Sequence, residues 1–283
     1  MQATTIKHLC EGIVLFPFAA ALIAGFFGKS IGKRGAHSVT IFGVFVAFVL
    51  NLFIFYHFIF ADGAPVDVNL YNWVVSGNFS FHVGFLVDRL SACMMMLVTF
   101  VSTLVHIYSI GYMKDDSGYQ RFFAYMSAFT FCMLMLVLAN NFATLFFGWE
   151  GVGLISYLLI GFWFSKPSAA AGSLKAFIVN RVGDMGMILG IAGILAYFGN
   201  LNYDYVFAHK AILQGQTMHV FFGASWQVMT VICVLLFIGA MGKSAQMPLH
   251  VWLPESMEGP TPISAMIHAA TMVTAGVYMV ARF

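Results

Sequence analysis

The chain of 283 residues is 61% hydrophobic, carries only 8% Asp, Glu, Lys and Arg, and has a formal net charge of +2; soluble domains average about 25% charged residues. That composition excludes water as the solvent for most of the chain, and a near-neutral charge with no basic run beyond GKSIGKRGAH at 28 to 37 gives no ground for a nucleic-acid partner. The four cysteines, Cys10, Cys93, Cys132 and Cys233, stand singly in or beside apolar stretches. With no C-x-x-C and no Cys/His cluster, haem, iron–sulfur and structural zinc ligation are not expected, and packed apolar thiols are.

Counted as spanning helices of about 20 apolar residues, the hydrophobic runs number about eight: 9 to 27, 38 to 60, 83 to 111, 121 to 139, 141 to 164, 173 to 198, 223 to 246 and 262 to 283. The first lacks the basic start and small-residue cleavage site of a signal peptide, so it reads as a retained span. Continuous hydrophobicity without alternation makes these helices rather than barrel strands, and the fold class is an all-α polytopic membrane bundle. Lys29, Lys33, Arg34, Lys114, Arg121 and Lys166 fall in the joints after spans one, three and five, while the opposite joints and the N-terminus carry only Lys7 and Lys210. The positive-inside tendency therefore puts the first set in the cytoplasm or matrix and the N-terminus outside. The longer outer loops, 61 to 82 and 199 to 222, hold the interfacial aromatics Tyr71, Trp73, Tyr203 and Tyr205. In span six, Gly186-x-x-x-Gly190 is a helix-packing motif.

An ionisable group inside a span costs about 2.5 to 3.5 kcal/mol at the helix centre. Glu150 sits in the middle of span five, in NNFATLFFGWEGVGLISYLLIGFWF; its alternatives are a proton-handling carboxylate or a buried carboxyl holding helices in register. Lys243 follows a long apolar run and is either a working ammonium or a side chain snorkelling from a helix end. His268, in PISAMIHAATMV, can accept and donate a proton, or serve as a hydrogen-bonding core residue. Arg181 and Asp184 lie i, i+3 on one helix face, close enough to form a structural pair or to tune the potential at Glu150 and Lys243. Asp88 and Arg89 fall near the outer start of span three and His106 near its inner end, where water is expected.

Desolvation disfavours a buried ammonium and a nearby carboxylate restores it, by about 2.4 kcal/mol for unit charges roughly 7 Å apart at an effective dielectric of about 20. Moving or neutralising Glu150 would then release a proton from Lys243. Pro248, Pro254, Pro260 and Pro262 crowd the stretch after Lys243 and are expected to break the seventh helix, since interrupted backbone at membrane depth is tolerated where it lines a wet cavity. Gly242-Lys243-Ser244 is not a phosphate loop, because Phe237 stands where that motif needs glycine.

GWEGVGLISYLLIGFW (148 to 163), KAFIVNRVGD (175 to 184), RFFAY (121 to 125) and GKSAQMPLHVWLPESMEGPTPISAMIHAATMVTAGVYMVAR (242 to 282) resemble the antiporter-like membrane subunit L of respiratory complex I, NADH:quinone oxidoreductase. The resemblance implies proton translocation by Glu150, Lys243 and His268 with Asp184 and Arg181 alongside, a broken seventh helix, and two inverted five-helix repeats. It divides the chain into N-terminal helices one to three with an outer loop (1–120) and one antiporter-like repeat of helices four to eight (121–283), without the second repeat, as expected of part of a longer chain. It implies no cofactor in this chain, with NADH, FMN, iron–sulfur clusters and quinone in partner subunits. The implied partners are an M-like neighbour and other membrane-arm subunits, the lipid bilayer, protons and water. The implied location is a bacterial plasma membrane or, alternatively, the mitochondrial inner membrane. The large subunit of a multisubunit sodium/proton antiporter and a static membrane scaffold are the rival readings.

Overall fold

The computed structural model describes residues 1–76, 79–219 and 225–283. Helix accounts for 76% of the chain, so the bundle reading holds. Among the described residues, seven helical stretches are long and apolar enough to cross a bilayer, and an eighth apolar helix is shorter.

Helix α1 (Ala3–Phe26) turns at Phe27 into α2 (Gly28–Ile59), where the predicted basic joint is itself helical but bent at Gly32. Gly32 has φ 68°, in the left-handed region that favours glycine. The outer loop expected at 61 to 82 is instead an antiparallel hairpin of β1 (Val66–Ser76) and β2 (Phe79–Val87). It takes residues 83 to 87 away from the predicted third span: they pair with Val66–Tyr71 of β1, and a purely additive hydropathy reading does not distinguish an apolar strand from the start of a helix. Helix α3 (Arg89–Tyr112) starts at Asp88, whose carboxylate accepts from the Ser91 N–H at 2.8 Å while the Asp88 N–H donates to Ser91 Oγ at 2.8 Å.

Helix α4 (Tyr119–Leu138) is the buried axis of the bundle, with 78% of its apolar window covered by other elements. Ser127 Oγ donates to Pro17 O of α1 at 2.8 Å, and Ser102 of α3 meets Thr130 of α4 at 2.6 Å. Such contacts between membrane helices average about 0.6 kcal/mol each and fix register more than they add stability. Asn141 caps α5 (Phe142–Ile160) by accepting from the Thr144 N–H at 2.8 Å. Helix α6 (Pro167–Phe198) follows, then a second outer connection of α7 (Tyr203–Ala208), a short 3₁₀ turn, β3 (Thr217–His219) and β4 (Ser225–Gln227). The predicted start of span seven at 223 lies outside the described residues.

Helix α8 (Val228–Lys243) lies along α6 at the distance that glycines permit: a methyl group on Gly183 would stand 3.0 Å from Gly242 Cα, and one on Gly186 2.7 Å from Ile238 Cγ2. The expected break is present in the stretch from Lys243 to Pro262, and it begins ahead of the first proline. Helix α8 stops at Lys243, ahead of Pro248, and Ala245 at φ 48° turns the chain away. Two 3₁₀ turns, Leu249–Trp252 and Pro254–Glu258, carry it to α9 (Thr261–Ala265), a π-helical turn at Met266–Ala270 and α10 (Met272–Arg282). The prolines keep this stretch irregular and start its turns, as Pro254 and Pro262 do at first-turn positions.

Candidate functional site

Lys243 is the last residue of α8 and its side chain is 1% exposed. Its Nζ lies 3.6 Å from Asp184 Oδ2, beyond hydrogen-bond reach, and no described residue accepts a hydrogen bond from the ammonium. The Trp149 ring stands 5.9 Å from Nζ, at the outer edge of cation–π range. Gly153 leaves room for the ammonium, since a Cβ there would lie 2.5 Å from Nζ.

Asp184 holds the centre. Its Oδ1 accepts from the Trp149 indole Nε1 at 2.7 Å, while Oδ2 faces Lys243 at 3.6 Å and Arg181 Nη1 at 3.9 Å. Arg181 Nη1 in turn pairs directly with Glu150 Oε2, and the Arg181 guanidinium lies 4.7 Å from the Phe177 ring. The charges therefore run Glu150, Arg181, Asp184, Lys243, alternating in sign from a half-exposed end to a fully buried one; the Glu150 and Arg181 side chains are 25% and 35% exposed, against 5% and 1% for Asp184 and Lys243.

Of the five residues expected to act together, the structure joins Glu150, Arg181, Asp184 and Lys243 and leaves His268 apart. Glu150 does not face Lys243 directly; Arg181 and Asp184 stand between them. Trp149 and Gly153 were missed, because an indole in an apolar run looks like core and a glycine in a glycine-rich helix looks like packing. Their signal is spacing: Trp149 and Gly153 are i, i+4, one turn apart on one face of α5.

His268 belongs to a separate contact. It sits in the π-helical turn between α9 and α10, its Nε2 3.0 Å from Ser256 Oγ. Ser256 donates its hydroxyl hydrogen to Leu253 O at 2.6 Å, so His268 donates from Nε2, and its buried Nδ1 has no partner among the described residues. The irregular stretch is tied to α8 by Trp252, whose indole donates to Gly242 O at 2.9 Å, and to α6 by Lys175–Glu255 at 2.7 Å and Ser168–Glu258 at 2.9 Å.

The residues assigned to the interface fare differently. Arg89 pairs with Asp62 at 2.5 Å on the surface. Asp88, besides capping α3, binds Arg282 of α10 through both guanidinium nitrogens, and Arg282 also donates to Tyr278 OH at 2.7 Å. His106 is not near water: it is 0% exposed, with Nδ1 2.7 Å from Ser102 O. Hydropathy locates a helix end but not which side of the helix faces neighbours, and His106 faces α4 against Phe123. No group of three or more metal-ligating side chains occurs among the described residues.

A family model described as NADH:quinone oxidoreductase/Mrp antiporter, TM, matches residues 139–283, just over half of the chain, and one described as NADH-Ubiquinone oxidoreductase (complex I), chain 5 N-terminus, matches 73–123. NADH-quinone oxidoreductase subunit L of Neisseria meningitidis serogroup B is 60% identical over 95% of this chain and 40% of its own length. NADH-ubiquinone oxidoreductase chain 5 of Marchantia polymorpha is 48% identical over 95% of this chain and 40% of its own length. The chain thus spans about 40% of the length of these curated relatives. A chain in the structure of the Mrp complex from Dietzia sp. superposes with a TM-score of 0.78 at 25% identity, covering 96% of this chain and 27% of that one.

Proposed function

Because the chain belongs to the NADH:quinone oxidoreductase/Mrp antiporter membrane family, we propose that it is a proton-translocating part of the membrane arm of an NADH:quinone oxidoreductase, with Lys243 as the proton carrier. The observation that carries this reading is the ammonium of Lys243, buried to 1% exposure with one carboxylate at 3.6 Å and no hydrogen bond to a described residue. A buried ammonium that shares its one carboxylate with a second cation, as Lys243 shares Asp184 Oδ2 with Arg181 at 3.9 Å, is held less firmly in its charged form than one with a partner of its own.

The charge order gives the mechanism. At an effective dielectric of about 20, Asp184 attracts Lys243 by about 5 kcal/mol at their separation. Arg181, slightly farther from the same oxygen, competes for it and is held back by its own pair with Glu150. When Glu150 is neutralised or withdrawn, Arg181 draws on Asp184, the attraction on Lys243 falls, and the ammonium gives up its proton to become the neutral amine. Restoring Glu150 reverses the step. Glu150 therefore gates Lys243 through two intervening side chains, and His268, whose bare Nδ1 is free to accept, takes the proton onward. Residues 121–283 form the antiporter-like repeat in this reading. NADH, FMN, clusters and quinone belong to partner subunits, with an M-like subunit as neighbour and a bacterial plasma membrane as the site.

Lys243→Arg tests it, since a guanidinium keeps the charge but does not release its proton. The expected result is an assembled complex that oxidises NADH without translocating protons through this chain, and retained translocation sinks the carrier role. The likeness to the Mrp complex favours a second reading, a cation/proton antiporter subunit. Flavin and iron–sulfur absorbance co-purifying with the intact assembly supports the first reading, and their absence the second.

A further inference from the structure

At the inner ends of α4, α5 and α6 lies a cavity of about 210 Å³ that the charge relay does not use. Arg121 and Tyr125 of α4, Tyr157 and Phe162 from the end of α5, and Ser173 of α6 line it. The Arg121 guanidinium is wedged between two aromatic faces, 4.7 Å from the Phe162 ring and 5.2 Å from that of Phe164. Nη2 donates to Phe162 O at 3.0 Å, whereas the buried Nε has no partner among the described residues.

The Arg121 guanidinium forms no direct ion pair among the described residues; Asp116, near it at the Gly118 turn, accepts from Trp163 Nε1 at 2.9 Å and the Gly118 N–H at 2.7 Å. Lys166, on the same inner joint, covers the Trp163 ring at 4.2 Å and also forms no ion pair among the described residues. Tyr125 and Tyr157 also line the cavity, and neither hydroxyl makes a hydrogen bond to a described residue. A guanidinium and two phenol-bearing side chains line one cavity, the chemistry that holds a multi-oxygen anion, while the Ser173 hydroxyl donates to Ala170 O at 3.0 Å. The positive-inside bias puts this cavity at the inner headgroup level, and Phe164, 69% exposed, extends an apolar surface beside it where an acyl chain can lie.

We propose that this cavity binds the phosphodiester of an inner-leaflet phospholipid, Arg121 pairing with the phosphate and Tyr125 and Tyr157 donating to its free oxygens. The test uses the assembled membrane complex, purified in detergent, with retained phospholipid counted by native mass spectrometry. Arg121→Gln is expected to lose one tightly held phospholipid per complex. Tyr125→Phe with Tyr157→Phe, which leaves the Arg121 contact to Phe162 O intact, is expected to lower its retention several-fold, and decides the matter if the arginine variant does not assemble. Adding phosphatidylglycerol back to delipidated wild-type complex is expected to raise its Tm, and inorganic phosphate alone is not. Unchanged retention in the variants, as when an acidic side chain of a neighbouring subunit fills the cavity, overturns the proposal; so does an equal Tm shift with inorganic phosphate.

Discussion

Trp149→Phe isolates the least obvious member of the charge relay. The ring is completely buried, and phenylalanine keeps an aromatic face toward Lys243, so the substitution removes mainly the indole N–H that Asp184 Oδ1 accepts at 2.7 Å. A hydrogen bond to a charged group contributes about 1.5 to 3 kcal/mol. At 1.36 kcal/mol per tenfold, its loss shifts the balance among Asp184 positions by about 10- to 160-fold. The freed carboxylate then has no fixed oxygen to divide between Arg181 and Lys243, and proton transfer at Lys243 loses its timing. NADH-driven proton translocation, followed by dye quenching in inverted membrane vesicles, is expected to fall to about a tenth or less, with complex assembly unchanged on a native gel. Wild-type translocation in an assembled Trp149→Phe complex would refute the idea that a fixed Asp184 controls Lys243.

Three further outcomes follow from the geometry. Gly153→Ala places a methyl 2.5 Å from Lys243 Nζ, an overpacking cost of about 1 to 3 kcal/mol; translocation should drop, while Gly111→Ala, with nothing within 4 Å of the new methyl, leaves it unchanged. Arg282→Lys gives up the two-pronged pairing with Asp88 and the bond to Tyr278 and should lower the Tm in detergent, whereas Arg89→Lys, at a surface pair with Asp62, should shift it little. His82, in the outer hairpin, is pulled below its ordinary value by burial, partly offset by the Asp67 carboxylate. The docked hairpin therefore favours neutral imidazole, and its stability is full above about pH 6.5 and declines as the pH falls toward the lowered value. Hydrogen exchange of residues 66 to 76 and 79 to 87, corrected for intrinsic rates, should show protection fading on that acidification, and His82→Gln should flatten the dependence. Burial raises Asp67, which acts oppositely: its contribution is complete below about pH 3.9 and is lost as the pH rises through the raised value.

The membrane helices were legible because a bilayer demands long uninterrupted apolar runs, and Glu150, Arg181, Asp184 and Lys243 because a charge inside such a run is conspicuous. What escaped was whatever depends on direction around a helix or on the partner across a gap. Trp149 and Gly153 carry no charge to betray them. His106 was misplaced because depth along α3 says nothing about the face it occupies. Residues 83 to 87 were absorbed into a span because a short apolar strand and the start of an apolar helix have the same hydropathy, and only the partner strand β1 tells them apart. The break was foreseen from the prolines, yet the chain leaves the helix at Lys243 through the turn at Ala245, a backbone choice with no side-chain mark.

The indole of Trp252 on Gly242 O makes the end of α8 mechanically continuous with the irregular stretch behind it. That stretch also meets α6 through Glu255 and Glu258, so residues 254 to 258 and the peptide next to Lys243 share one set of hydrogen bonds. In the proposed mechanism, displacing residues 254 to 258 would move the Lys243 amine relative to Asp184 without altering a single charge, giving Lys243 a positional input at Trp252 beside the electrical one at Glu150.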